Sequence, residues 1–187
     1  MSPALIAEQL PTLPALKKLG QLSDVRPVIV VDTREQDPLF FKRLFSVRGT
    51  LVSGDYSILS LEGQFAIERK SIADLVSCCV GNNRERFERE LHRLSSYRFA
   101  RLLVVGSRES IERGEYRSRI PPKSVLHSLA AWEARHNVPT VFIPTPEEAS
   151  LQIETWAYWF AREIVQAAND LLRGHKKATS DTRREKD

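Results

Sequence analysis

The chain has 187 residues, 42% hydrophobic and 28% charged, with a net charge of +4, which suits one packed domain of ordinary size and excludes two full domains or wholesale disorder. No apolar run approaches 18 residues, and the first ten residues lack a basic stretch followed by an apolar one, so neither a membrane span nor a secretory leader is expected. The two cysteines, Cys78 and Cys79, are adjacent; a disulfide between them would strain the backbone, no zinc site can be built from them, and a reducing compartment is expected.

Residues 1–26, with Pro3, Pro11, Pro14 and a weak leucine pattern, read as an N-terminal arm. The β-branched run at 27–31 ends at Asp32 and predicts a strand buried on both faces. Residues 40–45 fit a helical turn, and 50–52, 56–61 and 64–68 alternate as a meander of three short strands, with Gly54 and Gly63 at the turns. Ser71 is placed to cap a helix over 72–80. A second helix follows over 83–97, with Phe87, Leu91 and Leu94 on one face and Arg86, Arg89 and Arg93 on a separate stripe. A strand at 102–105, a helix at 122–136, a strand at 140–143 and a helix from 146 to 172 complete the chain. This order favours parallel pairing, so the fold class is α/β, a mixed sheet flanked by helices. The domain is expected over 27–172. Residues 173–187 hold six basic residues (Arg173, Lys176, Lys177, Arg183, Arg184, Lys186) against three acidic (Asp181, Glu185, Asp187), net +3, and read as a disordered basic tail. The four histidines show no ligand spacing and read as surface or helix-face residues, and the tryptophans read mainly as core.

Chemistry concentrates where strands end. Asp32 closes an apolar strand, Asp55 sits in a Gly54-Asp55-Tyr56 turn, and Glu68 and Lys70 stand at i and i+2 on one strand face. A hairpin between Asp55 and Glu68 would bring two carboxylates and a lysine to one place. Oxygen ligands of this kind hold a hard divalent cation, which polarises a phosphate and acidifies a water, while the lysine orients that water or offsets developing charge. The set suits phosphodiester hydrolysis. Arg34 and Glu35 follow Asp32 closely, and Asp74 falls in the first turn of the helix that Ser71 begins, where a helix-dipole role is the alternative.

Taken together, Val30-Val31-Asp32-Thr33-Arg34-Glu35, then Gly54-Asp55-Tyr56, then Glu68-Arg69-Lys70 with Asp74, resemble the ERCC4-type nuclease domain of XPF-like structure-specific endonucleases. The resemblance spans about residues 27–165 and is strongest over 30–75. It implies a restriction-endonuclease-like fold and an endonuclease that nicks DNA near branches or junctions between single and double strands, in repair or recombination. By the same resemblance Asp55, Glu68 and Lys70 lead the catalytic set, joined by Asp32, Arg69 and Glu35. Asp32, Asp55, Glu68 and Asp74 would serve a Mg²⁺ ion, replaceable by Mn²⁺. Arg34, Arg84, Arg86, Arg117 and Lys123 are the candidate DNA contacts, although the glutamates among the helical arginines fit a salt-paired face equally well. The tandem helix-hairpin-helix domain of the long family members is not in the sequence, so junction selectivity would come from a homodimer, a protein partner or the basic tail. The expected location is cytoplasmic and nucleoid-associated for a bacterial or phage protein, nuclear for a eukaryotic one. The rival reading is a catalytically silent DNA-binding or scaffold subunit, which the complete acid set opposes; action on RNA is left open.

Overall fold

A computed structural model describes residues 26–184, with side chains to Gly174. The N-terminal arm, apart from Arg26, lies outside the described residues. Six strands, β1 (Ile29–Asp32), β2 (Ser46–Gly49), β3 (Tyr56–Ile58), β4 (Phe65–Ser71), β5 (Phe99–Val105) and β6 (Thr140–Ile143), form one sheet in the order β2-β1-β3-β4-β5-β6. The helices are α1 (Ile72–Ser77), α2 (Gly81–Leu94), α3 (Arg108–Glu112), α4 (Pro122–His136) and α5 (Pro146–Arg184). The chain divides into two compact units; residues 28–157 form the one that carries the sheet. In the other unit, Tyr158 packs edge-on against Trp159, whose ring lies under Arg162, and Leu171 and Leu172 are exposed.

The parallel pairing expected for the later strands is present: β4 pairs with β5 and β5 with β6 in parallel. The three-strand meander is not formed. β1 lies between β2, its parallel neighbour, and β3, its antiparallel one, so the sheet is mixed. The strand placed at 50–52 falls instead at Ser46–Gly49, an exposed edge strand whose burial shows no alternation to read. Residues 50–52 are held as a turn: the Leu51 N–H donates to Asp32 Oδ2 at 2.7 Å and the Leu51 carbonyl accepts from Arg34 at 2.8 Å. Residues 40–45 form no helical turn, only a bend at 42–44, and α3 is a helix that the apolar pattern does not show. The last helix runs past Leu172 to Arg184; this backbone needs no apolar stripe, only residues compatible with a helix.

One sheet face packs Ala66, Leu102 and Val104 against α1, α2 and α4 through Leu75, Val76, Phe87, Leu91, Leu94, Val125, Leu129 and Trp132. The i, i+4, i+7 apolar stripe of α2 is therefore its buried face, as the spacing predicts. Elsewhere Phe65 stacks on Phe99 at 4.9 Å, and Trp156 lies beside Phe99. The buried carboxylate of Glu154 on α5 accepts from the Arg43 and Leu44 N–H groups and from Arg43 Nε at 2.6, 3.0 and 2.8 Å, fastening the 40–45 segment. Of the histidines expected on the surface or on helix faces, His136 is on a helix, and it is buried beside His92 with Nε2 unpartnered.

Candidate active site

The alternation of β4 sorts its residues. Ala66, Glu68 and Lys70 share the face covered by α1 and α2, whereas Phe65, Ile67 and Arg69 point the other way. Glu68 is thus carried into the interior, 2% exposed, and its carboxylate pairs with the Lys70 ammonium, which in turn sits 5.5 Å from the centroid of the Phe87 ring on α2.

Asp55 arrives from the other side. Gly54 before it has φ +80, a conformation open to glycine, and a Cβ there would stand 3.0 Å from the Ile67 carbonyl oxygen. That close approach lets the Asp55 N–H donate to the same oxygen at 2.8 Å, while the Asp55 carbonyl accepts from Asp32 N. Asp55 Oδ2 accepts the Arg69 N–H at 2.7 Å, which fixes the carboxylate against β4 beside Glu68. The hairpin expected from the spacing of Asp55 and Glu68 is therefore formed.

Burial, the negative charge of Glu35 and Glu90, and the nearness of Glu68 shape the protonation of this pair. Asp55 is pushed up to about 6, first by burial and then by Glu35 and Glu90, against the Arg69 N–H and the Lys70 charge. Glu68 is raised well above the ordinary carboxylate range by burial and then by Asp55. Burial works against the Lys70 charge, but Glu68 and Asp55 more than offset it and hold the ammonium protonated. Burial thus makes both carboxylates costly to ionise, and the single Lys70 cation offsets only part of that cost.

A cleft of about 390 Å³ opens over this centre. Asp55, Arg69 and Lys70 line it, with Arg34, Glu35 and Gln36 from the segment after β1, Asp74, Ser77 and Cys78 from α1 and its end, and Asn83, Arg86, Phe87 and Glu90 from α2. Arg69 is held by Glu35 at 3.1 Å, with Asp37 beyond at 3.8 Å. Asp74 caps α1 reciprocally with Ser71, accepting the Ser71 hydroxyl at 2.7 Å and donating its N–H to Ser71 Oγ at 3.1 Å, and keeps an exposed place on the rim. Glu90, Asn83 and Gln36 are cleft residues that the sequence reading does not single out. A signal for α2 is present, since 83, 86, 87 and 90 follow i, i+3, i+4, i+7, but it lies among charges that also fit a solvated face.

Other expectations are corrected. Asp32 is not a free ligand: it is 1% exposed and both of its oxygens are engaged. Oδ1 accepts from Arg34 N and Nε at 2.8 and 2.7 Å, and Oδ2 from the Arg34 guanidinium and Leu51 N at 3.1 and 2.7 Å. These bonds outweigh burial and hold Asp32 below its ordinary range. Arg84 does not face the cleft; its guanidinium lies 5.2 Å from the Trp132 ring, donates to Ser128 Oγ at 2.9 Å and pairs with Glu88. Arg117 and Lys123 are exposed but do not line the cleft. Arg34 and Arg86 do line it, and Arg34 keeps two-thirds of its side chain exposed.

The expected four-carboxylate set is not assembled; among the described residues, no three acidic, histidine or cysteine side chains form a ready-made metal cage. The remaining donors still suit Mg²⁺. This ion demands oxygen, is held through one or two carboxylates, and takes its other positions from water and phosphate. Asp55 and Glu68 offer oxygen donors, and a divalent cation bound to them would favour the ionised forms that burial opposes.

A family profile described as ERCC4 domain matches residues 31–154, two-thirds of the chain and the whole of this cleft. The chain belongs to the ERCC4 family. Two solved structures are similar to it. One, XPF from Aeropyrum pernix, has 22% identity and a TM-score of 0.57, covering 70% of this chain and 60% of its own. The second, XPF from Aeropyrum pernix in complex with DNA, has 23% identity and a TM-score of 0.58, covering 74% and 66%. The ERCC4 chain thus spans less than two-thirds of either structure's length, and at this identity the likeness establishes the fold. No curated protein matches the chain at a significant level. The mixed six-stranded sheet flanked by helices is the fold this ERCC4 domain shares with those structures, in agreement with the α/β expectation.

Proposed function

We propose that the protein is a metal-dependent endodeoxyribonuclease that hydrolyses phosphodiester bonds near branches or single-strand to double-strand junctions. The observation that carries this reading is the convergence of Asp55 and Lys70 on a cleft also lined by Arg34, Arg69 and Arg86, with Glu68 buried behind them and paired to Lys70. Asp55 and Glu68 would hold Mg²⁺ or Mn²⁺, which when bound polarises a phosphate oxygen and makes an attacking water more acidic.

The residues around it do the rest. Lys70, kept as an ammonium by Glu68, donates hydrogen bonds rather than accepting a proton, so its work is to orient the water and offset charge on phosphorus. The water oxygen bonds to phosphorus as one of its protons passes to solvent, the bridging P–O bond breaks, and the departing oxygen takes up a proton from solvent. Arg34, exposed yet tied at one edge to Asp32, and Arg86 on α2 are positioned to receive phosphates on either side of the scissile bond. One of the two similar structures is an XPF protein in complex with DNA, which supports DNA as the polymer. Junction selectivity would be supplied by a second copy or a partner protein, in repair or recombination.

Cleavage of labelled duplex, single-stranded, flap and forked DNA in Mg²⁺, Mn²⁺ or EDTA, beside the Asp55→Asn protein, tests the proposal. Nicking near the branch point is expected with either metal and not with EDTA, and the substitution should lower it at least about a hundredfold. DNA binding by both proteins without cleavage in either metal would refute the enzyme reading and favour the scaffold one.

A further inference from the structure

The turn that delivers Asp55 is tied at several points. Leu51 is fastened by Asp32 and Arg34, and Asp55 is paired with Ile67 and Asp32. Between them lie Val52, Ser53 and Gly54. Ser53 is 3% exposed, and its hydroxyl accepts from Arg93 Nε at 3.1 Å, across 40 residues of sequence. Arg93 stands on α2 at i+3 from Glu90 and i+7 from Arg86, both of which line the cleft. The same helix supplies Phe87 beneath the Lys70 ammonium. Arg93 therefore joins the helix that forms one wall of the cleft to the turn that carries the leading carboxylate, next to the residue with φ +80 about which that turn can swivel.

We infer that Arg93 is a positioning residue for the reaction, acting through Ser53 to hold Asp55 in register with Glu68. This rests on the nuclease reading above. Arg93 touches neither the acids nor Lys70; its effect is on where the turn places Asp55, and displacements of about 1 Å at such a group can cost about a hundredfold in rate. Since Asp55 is also anchored by two backbone bonds and by Arg69, a smaller loss is expected. The chemical role is distinct from phosphate binding, which would also draw on an exposed arginine but would not involve a buried serine.

Arg93→Met, Ser53→Ala and the double variant separate these roles. The inference expects kcat to fall about tenfold in each single variant, KM to stay within about twofold, and the double variant to be no slower than the slower single one, because both remove the same bond. The concentration of Mn²⁺ for half-maximal rate should rise in all three, and Arg93→Lys should recover part of the rate. A raised KM in Arg93→Met with an unaltered Ser53→Ala would overturn the inference in favour of a phosphate contact, as would unaltered kcat in both. Amide hydrogen exchange at Gly54 and Asp55, read by NMR without DNA, gives a measure independent of cleavage. Exchange at Asp55 at least about tenfold faster in either variant supports the tie, and unchanged exchange overturns it. Failure of the wild-type protein to cleave any substrate would sink the nuclease reading and leave the exchange result to decide the tie.

Discussion

Replacing Asp55 by Asn should make the metal-free protein more stable while removing its activity. The carboxyl is pushed up from 3.8 to about 6 in the folded chain, chiefly by burial. Between those values the native state binds more protons than the unfolded one, so stability falls as pH rises through that window and stays low above it. Two pH units correspond to about 3 kcal/mol at about 1.4 kcal/mol each, an upper bound that partial exposure of the side chain lowers to about 1–3 kcal/mol. Asn keeps the shape and an oxygen to accept the Arg69 N–H, but carries no charge to desolvate. At pH 8 in EDTA the variant should melt about 2–12 °C higher than the wild-type protein, since about 1 kcal/mol shifts a domain of this size by roughly 2–4 °C. Near pH 3 the difference should shrink towards zero, because Asp55 is then largely protonated in both states. Thermal melts at the two pH values decide the matter. An Asp55→Asn protein no more stable than wild type at pH 8, or a gap that does not close on acidification, would refute the reasoning that burial, rather than pairing, governs this carboxyl.

Lys70→Met leaves Glu68 buried without its cation and should cost about 3 kcal/mol in urea unfolding at pH 8, with cleavage lost; adding Glu68→Gln should restore most of the stability but none of the cleavage. At a fixed, subsaturating Mg²⁺ concentration the cleavage rate should climb with pH between 5 and 7 and go on rising above pH 6, because Asp55 and Glu68, both raised, must lose their protons to hold the ion; a rate independent of pH between 5 and 7 would contradict this. Gly106 has φ +138 and a Cβ there would meet Ile72 Cγ1 at 2.5 Å, so Gly106→Ala should destabilise the chain by about 2 kcal/mol or more, seen as a lowered urea midpoint. Glu154→Ala strands the buried Arg43 and Leu44 donors and should lower stability by about 3–5 kcal/mol, while any protein that folds should keep its kcat.

Much of this was legible in the chain because it depends on local rules. The β-branched run before Asp32, the Ser71 cap with Asp74 three residues on, and Phe87, Leu91 and Leu94 at helical spacing specify their elements through backbone propensity, capping and burial. The i, i+2 relation of Glu68 and Lys70 follows from the two-residue period of a strand, and their convergence with Asp55 needs only a short hairpin. Tertiary structure decided the rest. The edge strand Ser46–Gly49 has neither buried face nor alternation, and its place depends on pairing with a strand some 17 residues earlier. Asp32 and Glu68 look alike in sequence, each a buried acid at the end of an apolar strand. Only the fold shows that four N–H bonds from Arg34 and Leu51 occupy Asp32, while Glu68 answers to Lys70 and Asp55. The arginines of α2 divide for the same reason. A helix turns Arg84 away from the stripe that Arg86 and Arg93 share two turns apart, and which one meets Trp132, the cleft or Ser53 is set by the elements packed around it, since the partners of a charged side chain come from distant parts of the chain.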